Sequence, residues 1–225
     1  MLNIAHRGAS AAKPENSLEA FSEALRLGAD GVELDVRRCA SGELVVIHDA
    51  TLRRTVQGKG RVSQMTLAQL QALSLRGGGK IPTLAEVLTR LGPKRYCFIE
   101  LKTPEAALDV AKLMTQFIEK KYDKQKLVLI SFDHKALARV KKRFPDITIG
   151  ASFKRLTQRS LGKALSLCAA YIIPGYHGIR APLLQNIAQA GGIKTLVWTV
   201  NRPSTIKRMQ KLGVDGIMTD HPELL

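Results

Sequence analysis

An α/β chain closed into a parallel (β/α)8 barrel, with a small insertion after the second strand region, is the fold this sequence predicts. Three observations carry that reading. Eight short β-branched runs alternate with stretches of helical periodicity, as parallel βα units require. The length, 225 residues, is close to the ~250 usual for such a barrel. No Gly-x-Gly-x-x-Gly follows the first run, so the fingerprint of an open, doubly wound dinucleotide sheet is missing.

Taken in order, the strand candidates are 2–6, 31–36, 96–101, 127–131, 147–151, 170–174, 194–199 and 215–219. Leu18, Phe21 and Leu25 mark a helix expected over Ser17 to Leu27, with Asn16 as its cap. The second strand is expected to continue into a hairpin turning at Ser41-Gly42. A two-residue turn there sets Asp35 opposite His48, within cross-strand reach. Residues 49–82 break the rhythm, running through Gly58-Lys59-Gly60 and Gly77-Gly78-Gly79 to Pro82 with one short helical pattern, Thr66 to Leu73. They read as an insertion over the barrel mouth, too small and glycine-rich for a core of its own, within a single domain spanning 1–225. Leu108, Ala111, Leu113 and Phe117 mark a further helix, and Asp133 is expected to cap one opened by His134. Gly28-Ala29-Asp30-Gly31 and Gly213-Val214-Asp215-Gly216 repeat the same helix-to-strand turn.

Composition narrows the function. At 45% hydrophobic and 24% charged the chain can build an ample core. No run approaches the ~18 apolar residues of a membrane span. With a candidate functional residue already at position 6, no cleavable signal peptide is expected. Cys39, Cys97 and Cys168 are odd in number and lack metal-type spacing, and are expected as buried thiols in a reducing cytoplasm. The 35 Lys and Arg against 19 Asp and Glu give a net charge of +16, a field that favours anionic partners. Much of the excess, in Lys120-Lys121, Lys124, Lys126, Lys135, Lys141 to Arg143 and Arg202 to Lys211, is expected on outer helix faces. Aromatics are 5% and do not interleave with the basic residues, so nucleic acid is not the expected partner.

The chemistry sits at strand ends. His6 and Arg7 end the first strand; Glu33 and Asp35 stand two apart on the second, facing one way; Glu100 and Lys102 repeat that spacing on the third; His48 ends the hairpin return. Strand C-termini form the functional mouth of such barrels. Three converging carboxylates repel unless a cation joins them, and oxygen-only ligation suits a hard ion, Mg²⁺ or Ca²⁺. Two histidines are suited to acid–base work near neutral pH, and Arg7 and Lys102 to holding phosphate oxygens. Together these residue types fit metal-assisted cleavage at phosphorus. Asp49 either orients His48 or caps the next turn. His134, His177 and His221 read as structural.

At this point the chain closely resembles the glycerophosphodiester phosphodiesterases. The resemblance rests on His6-Arg7-Gly8, Pro14-Glu15-Asn16, Glu33-Leu34-Asp35, His48-Asp49, Ile81 to Leu84, Glu100-Leu101-Lys102, Trp198 to Asn201 and Gly213 to Asp220, in family order. It implies a TIM (β/α)8 barrel and hydrolysis of a small-molecule glycerophosphodiester to glycerol 3-phosphate and an alcohol. By position, Glu33, Asp35 and Glu100 would bind one divalent cation, Mg²⁺ or Ca²⁺. His6 and His48 would be the acid–base pair, Arg7 and Lys102 phosphate contacts, Phe132 and Trp198 pocket walls. Ile173 to His177 matches no family pattern. The rival readings are a lysophospholipase D at a membrane surface and a non-catalytic barrel that binds phosphate or nucleic acid through charge.

Overall fold

A computed structural model describes all 225 residues. The strands are β1 (Leu2–His6), β2 (Gly31–Arg38), β3 (Leu44–Val46), β4 (Tyr96–Leu101), β5 (Leu127–Ser131), β6 (Thr148–Phe153), β7 (Tyr171–Pro174), β8 (Lys194–Val197) and β9 (Gly216–Thr219). The helices are α1 (Leu18–Arg26), α2 (Leu67–Gln71), α3 (Leu84–Leu91), α4 (Ala107–Glu119), α5 (His134–Arg143), α6 (Gln158–Ser166), α7 (Ala181–Ala190) and α8 (Pro203–Leu212). All strands but β3 pair in parallel, and β1 joins both β2 and β9, so the sheet closes. Every barrel strand falls where β-branched periodicity puts it. Seven helices, α1 and α3 to α8, follow the first seven barrel strands, and β9 runs into the short turn Pro222–Leu224.

Alternation along each strand sorts residues into two apolar layers. Outward side chains such as Val32, Leu34, Ile99 and Leu129 pack against the helices. Inward ones, Ile4, Phe98, Val128, Ile130, Tyr171, Ile173, Leu196 and Met218, fill the barrel. Phe98 is fully buried and meets the Tyr171 ring edge-on at 5.1 Å. Phe98→Ala is therefore expected to cost about 3–5 kcal/mol in a denaturant titration, from lost burial and an unfilled barrel centre. On β2 the inward positions are Gly31, Glu33 and Asp35 instead of apolar residues.

The repeated turns serve one purpose. Asp30 Oδ2 accepts the Asn3 amide at 2.8 Å, and Asp215 Oδ2 accepts the Thr195 amide at 2.7 Å. Each aspartate thus ties the strand it precedes to the neighbouring one.

Several sequence expectations are corrected. The hairpin register is one residue away from that expected: Val36 pairs with Val46 and Arg38 with Leu44, and the Ile47 amide donates to the Asp35 carbonyl. The turn is a three-residue loop, Ala40 to Gly42, closed by the Cys39–Glu43 hydrogen bond, and Gly42 takes φ 101°. Asp35 consequently faces Ile47 and not His48. Asn16 does not cap α1. Ser17 does, its hydroxyl accepting from the Ala20 amide. Residues 49–82 do gather a small core: Leu52, Val56, Val62, Leu70, Leu75 and Ile81 pack with Cys39, Val45 and Ile47 of the hairpin. Hairpin and insertion share apolar faces that neither could bury alone. Cys168 is exposed, unlike Cys39 and Cys97, because it lies in the turn after α6. Lys120 to Lys126 lie mainly in the turn after α4, not on its face. Asp133 caps α5 as expected, accepting from the Ala136 amide.

Candidate active site at the barrel mouth

Strand register brings the acids together. His6 pairs beside Glu33 across β1 and β2, and Asp35 beside Glu100 across β2 and β4. One carboxylate oxygen from each of Glu33, Asp35 and Glu100 lies within 4.8 Å of the others. Glu33 and Asp35 are buried. A cavity of about 250 Å³ opens above them, lined by His6, Arg7, Glu33, His48, Glu100 and Lys102 on one side and by Ile130, Phe132, Ile173, Trp198 and Met218 on the other. All nine residues singled out in the sequence thus lie in or against one site, since Asp35 sits directly beneath, 3.1 Å from Lys102 Nζ. Phe132 meets Trp198 edge-on at 5.5 Å.

The loop after β1 is tightly built. Arg7 takes φ 56° and Gly8 φ 81°, and a Cβ at Gly8 would lie 2.7 Å from the Ala20 backbone. Only glycine permits that approach. It turns Arg7 back over the acids, where its Nε stands 3.2 Å from Asp35 Oδ2 and its Nη1 donates to Glu15.

Each histidine has its own carboxylate. His6 Nδ1 lies 2.7 Å from Asp220 Oδ1, and His48 Nδ1 lies 2.6 Å from Asp49 Oδ1. That fixes ring orientation and leaves each Nε2 for the cavity. Asp49 therefore orients His48. Burial alone would lower the His6 pKa, but the Asp220 hydrogen bond and the Glu33 charge outweigh it, so the net movement is upward. Asp220 is held near 2: burial opposes this, and the bonds from His6, Asn201 and Ser10 prevail. Asp49 is also held near 2, chiefly by Arg54. Arg54 reaches from the insertion to both Asp49 and Glu15.

The trio is under electrostatic tension. Burial, then Asp35 and Glu100, push the Glu33 carboxyl far above its usual range. Burial would raise Asp35 as well, but Lys102 and Arg7 hold it down. Glu33 Oε1 is buried without a hydrogen-bond partner, while Asp35 Oδ1 meets only Lys102 Nζ and Asp35 Oδ2 meets Arg7 Nε as ion pairs. An unsatisfied inward carboxylate oxygen beside two further acids is part of the donor set a hard divalent ion takes, so these residues fit such an ion.

Three residues take roles here that the sequence did not assign, although Asn16 stood, with Glu15, among the residues expected by resemblance to shape the mouth. Asp220 follows β9 at the same strand-end position that singled out His6, and that rule would have found it. Asn16, at φ 58°, donates from Nδ2 to Asp35 Oδ2 at 2.8 Å while its Oδ1 accepts the Asp35 amide at 3.2 Å. It clamps an acid 19 residues away, which local cap statistics do not register. Arg54 carried no distinguishing pattern. Asn201 completes the support, its Oδ1 accepting the Asp220 amide. Asp220→Asn removes an anion that raises His6. The limb of the kcat/KM–pH profile set by His6 is then expected to move to lower pH, with turnover down ~10- to 100-fold.

Comparisons with known proteins converge on one family. Residues 6–224 match the model of the glycerophosphoryl diester phosphodiesterase family. A glycerophosphodiester phosphodiesterase of Caldanaerobacter subterraneus is 37% identical over 233 residues, covering 100% of this chain and 96% of that protein. Among solved structures, a phosphodiesterase of Oleispira antarctica in complex with the product sn-glycerol-3-phosphate superposes with TM-score 0.89. It is 26% identical and covers 99% of this chain and 94% of that one. A glycerophosphodiester phosphodiesterase of Thermotoga maritima gives TM-score 0.84 at 29% identity, covering 100% and 96%.

Proposed function

The chain belongs to the glycerophosphoryl diester phosphodiesterase family and is an enzyme of that class; from this premise we propose that it hydrolyses small glycerophosphodiesters to glycerol 3-phosphate and an alcohol by paired-histidine catalysis on a divalent-ion floor. One observation supports the reading most: two carboxylate-oriented imidazoles and an inward acidic trio share one cavity. Glu33, Asp35 and Glu100 would hold Mg²⁺ or Ca²⁺. A divalent ion so held polarises a phosphoryl oxygen and neutralises developing charge.

The chain's own residues do the rest. Arg7 presents a fork and Lys102 a point charge to non-bridging phosphate oxygens. One imidazole takes a proton from the nucleophile, either water or the substrate's glycerol hydroxyl, and the other gives one to the leaving alcohol. Asp220 and Asp49 hold those rings in line. Phe132 and Trp198 cover carbon and exclude water.

No helix is long and apolar enough to cross a membrane, and a cytoplasmic setting, in which three free thiols persist, belongs to the same reading. The test is release of glycerol 3-phosphate from glycerophosphocholine or glycerophosphoethanolamine, followed with a coupled dehydrogenase. A clear preference for a lysophospholipid at equal ionic strength would overturn the soluble-substrate assignment.

A further inference from the structure

Beside the active site, and sharing Lys102 with it, lies a second cleft of about 350 Å³. Arg37 and Arg38 from the end of β2, Arg61 and Ser63 from the insertion, and Lys102 and Glu105 from the segment after β4 line it. Two of its cations are already matched: Arg38 pairs with Asp109, and Lys102 with Glu100 and Asp35. Arg37 and Arg61 have no carboxylate partner within ion-pair distance anywhere in the chain. Arg37 is half-buried, and its one side-chain hydrogen bond runs from Nε to the His48 carbonyl at 2.8 Å, leaving both Nη groups unspent. Arg61 is exposed, on a fixed backbone that bridges Thr51 and whose next amide, Val62, donates to the Ala50 carbonyl.

The half-buried Arg37 and the exposed Arg61 repel across the cleft, and Glu105 is the only acid lining it. A small anion relieves that repulsion and meets two guanidinium forks suited to paired oxygens. Position tells which anion. The apolar wall of the active site lies on β5, β7, β8 and β9, whereas this cleft lies on β2, the insertion and the exit of β4. A phosphate seated between His6 and His48 would have one sector on each side.

We propose that this cleft is a subsite for an anionic group, a carboxylate or a second phosphate, on the non-glycerol arm of the substrate. The inference rests on the phosphodiesterase reading above and adds a substrate class to it: diesters whose alcohol itself carries negative charge. It also gives part of the positive charge a local task. Arg61 is the residue to change, because Arg37 supports the backbone of His48 and Arg61 touches none of the catalytic groups.

The experiment compares glycerophosphoethanolamine, glycerophosphoserine and bis(glycerophospho)glycerol in the metal-loaded enzyme and its Arg61→Gln and Arg61→Lys variants. Arg61→Gln is expected to lower kcat/KM about 10-fold for an anionic diester, with glycerophosphoethanolamine unchanged and Arg61→Lys between. Loss with the serine diester alone assigns a carboxylate site, and loss with the bis-phosphate alone a phosphate site. Equal loss on all three, or on none, overturns the proposal. Calorimetric binding of the same three compounds to His6→Ala, with and without Arg61→Gln, reads the subsite without turnover. Failure of the wild-type enzyme to hydrolyse any diester would overturn the activity reading alone, while unaltered binding in the double variant would overturn the subsite.

Discussion

Dialysis against EDTA is expected to lower diester hydrolysis at least ~10³-fold, with Mg²⁺ or Ca²⁺ restoring it. The size of the effect follows from how the acids are placed. Three carboxylate oxygens within 4.8 Å, two of the three residues buried, and a Glu33 oxygen without a hydrogen-bond partner set like charges against one another. Lys102 and Arg7 are the cations that balance these acids, and the same two groups are assigned to phosphate, so a bound ion would relieve them of the first task. A second readout needs no substrate. An ion that binds the folded chain at about 100 times its Kd adds ~2.7 kcal/mol, roughly 5–10 °C in Tm for a chain this long. Full activity in chelator together with an unmoved Tm would remove the ion from the mechanism.

His6→Ala and His48→Ala are each expected to lose at least ~10² in turnover while far-UV circular dichroism stays that of the wild type. Neither imidazole carries the fold: both stand above the packed interior, and Ile4, Phe98 and Met218 beneath them are untouched by either change. The two losses should respond differently to support. His6 is anchored by Asp220, which Ser10 and Asn201 fix from two further segments. His48 depends on Asp49 and, through it, on Arg54 of the insertion. Arg54 variants should therefore trouble His48 before His6. Wild-type turnover in either alanine variant would strike that residue from the chemistry.

Most of the barrel was legible because strand alternation is local: Val32, Leu34 and Val36 announce a buried outer face within six residues. The inward acids were legible for the same reason, since polar residues in such a run contradict their surroundings. What stayed hidden depends on distance or on one extra residue. The loop at Ala40 to Gly42 holds three residues, not two, and no pattern in the flanking runs reveals it. His48 reaches the mouth all the same, because β3 ends at Val46 and frees it from the ladder. Asn16 satisfies every local rule for a helix cap, yet its side chain is taken by Asp35 and leaves the capping to Ser17. Arg54 gains meaning only when the insertion folds back and brings it to Glu15, 39 residues earlier in the chain.

The hairpin and residues 49–82 bury their own apolar cluster, separate from the one behind β2 and β4. That partition leaves most of the outer stretch free to vary without touching the β1, β2 and β4 pairings that place the acids, provided Ile47, His48, Asp49 and Arg54 are kept.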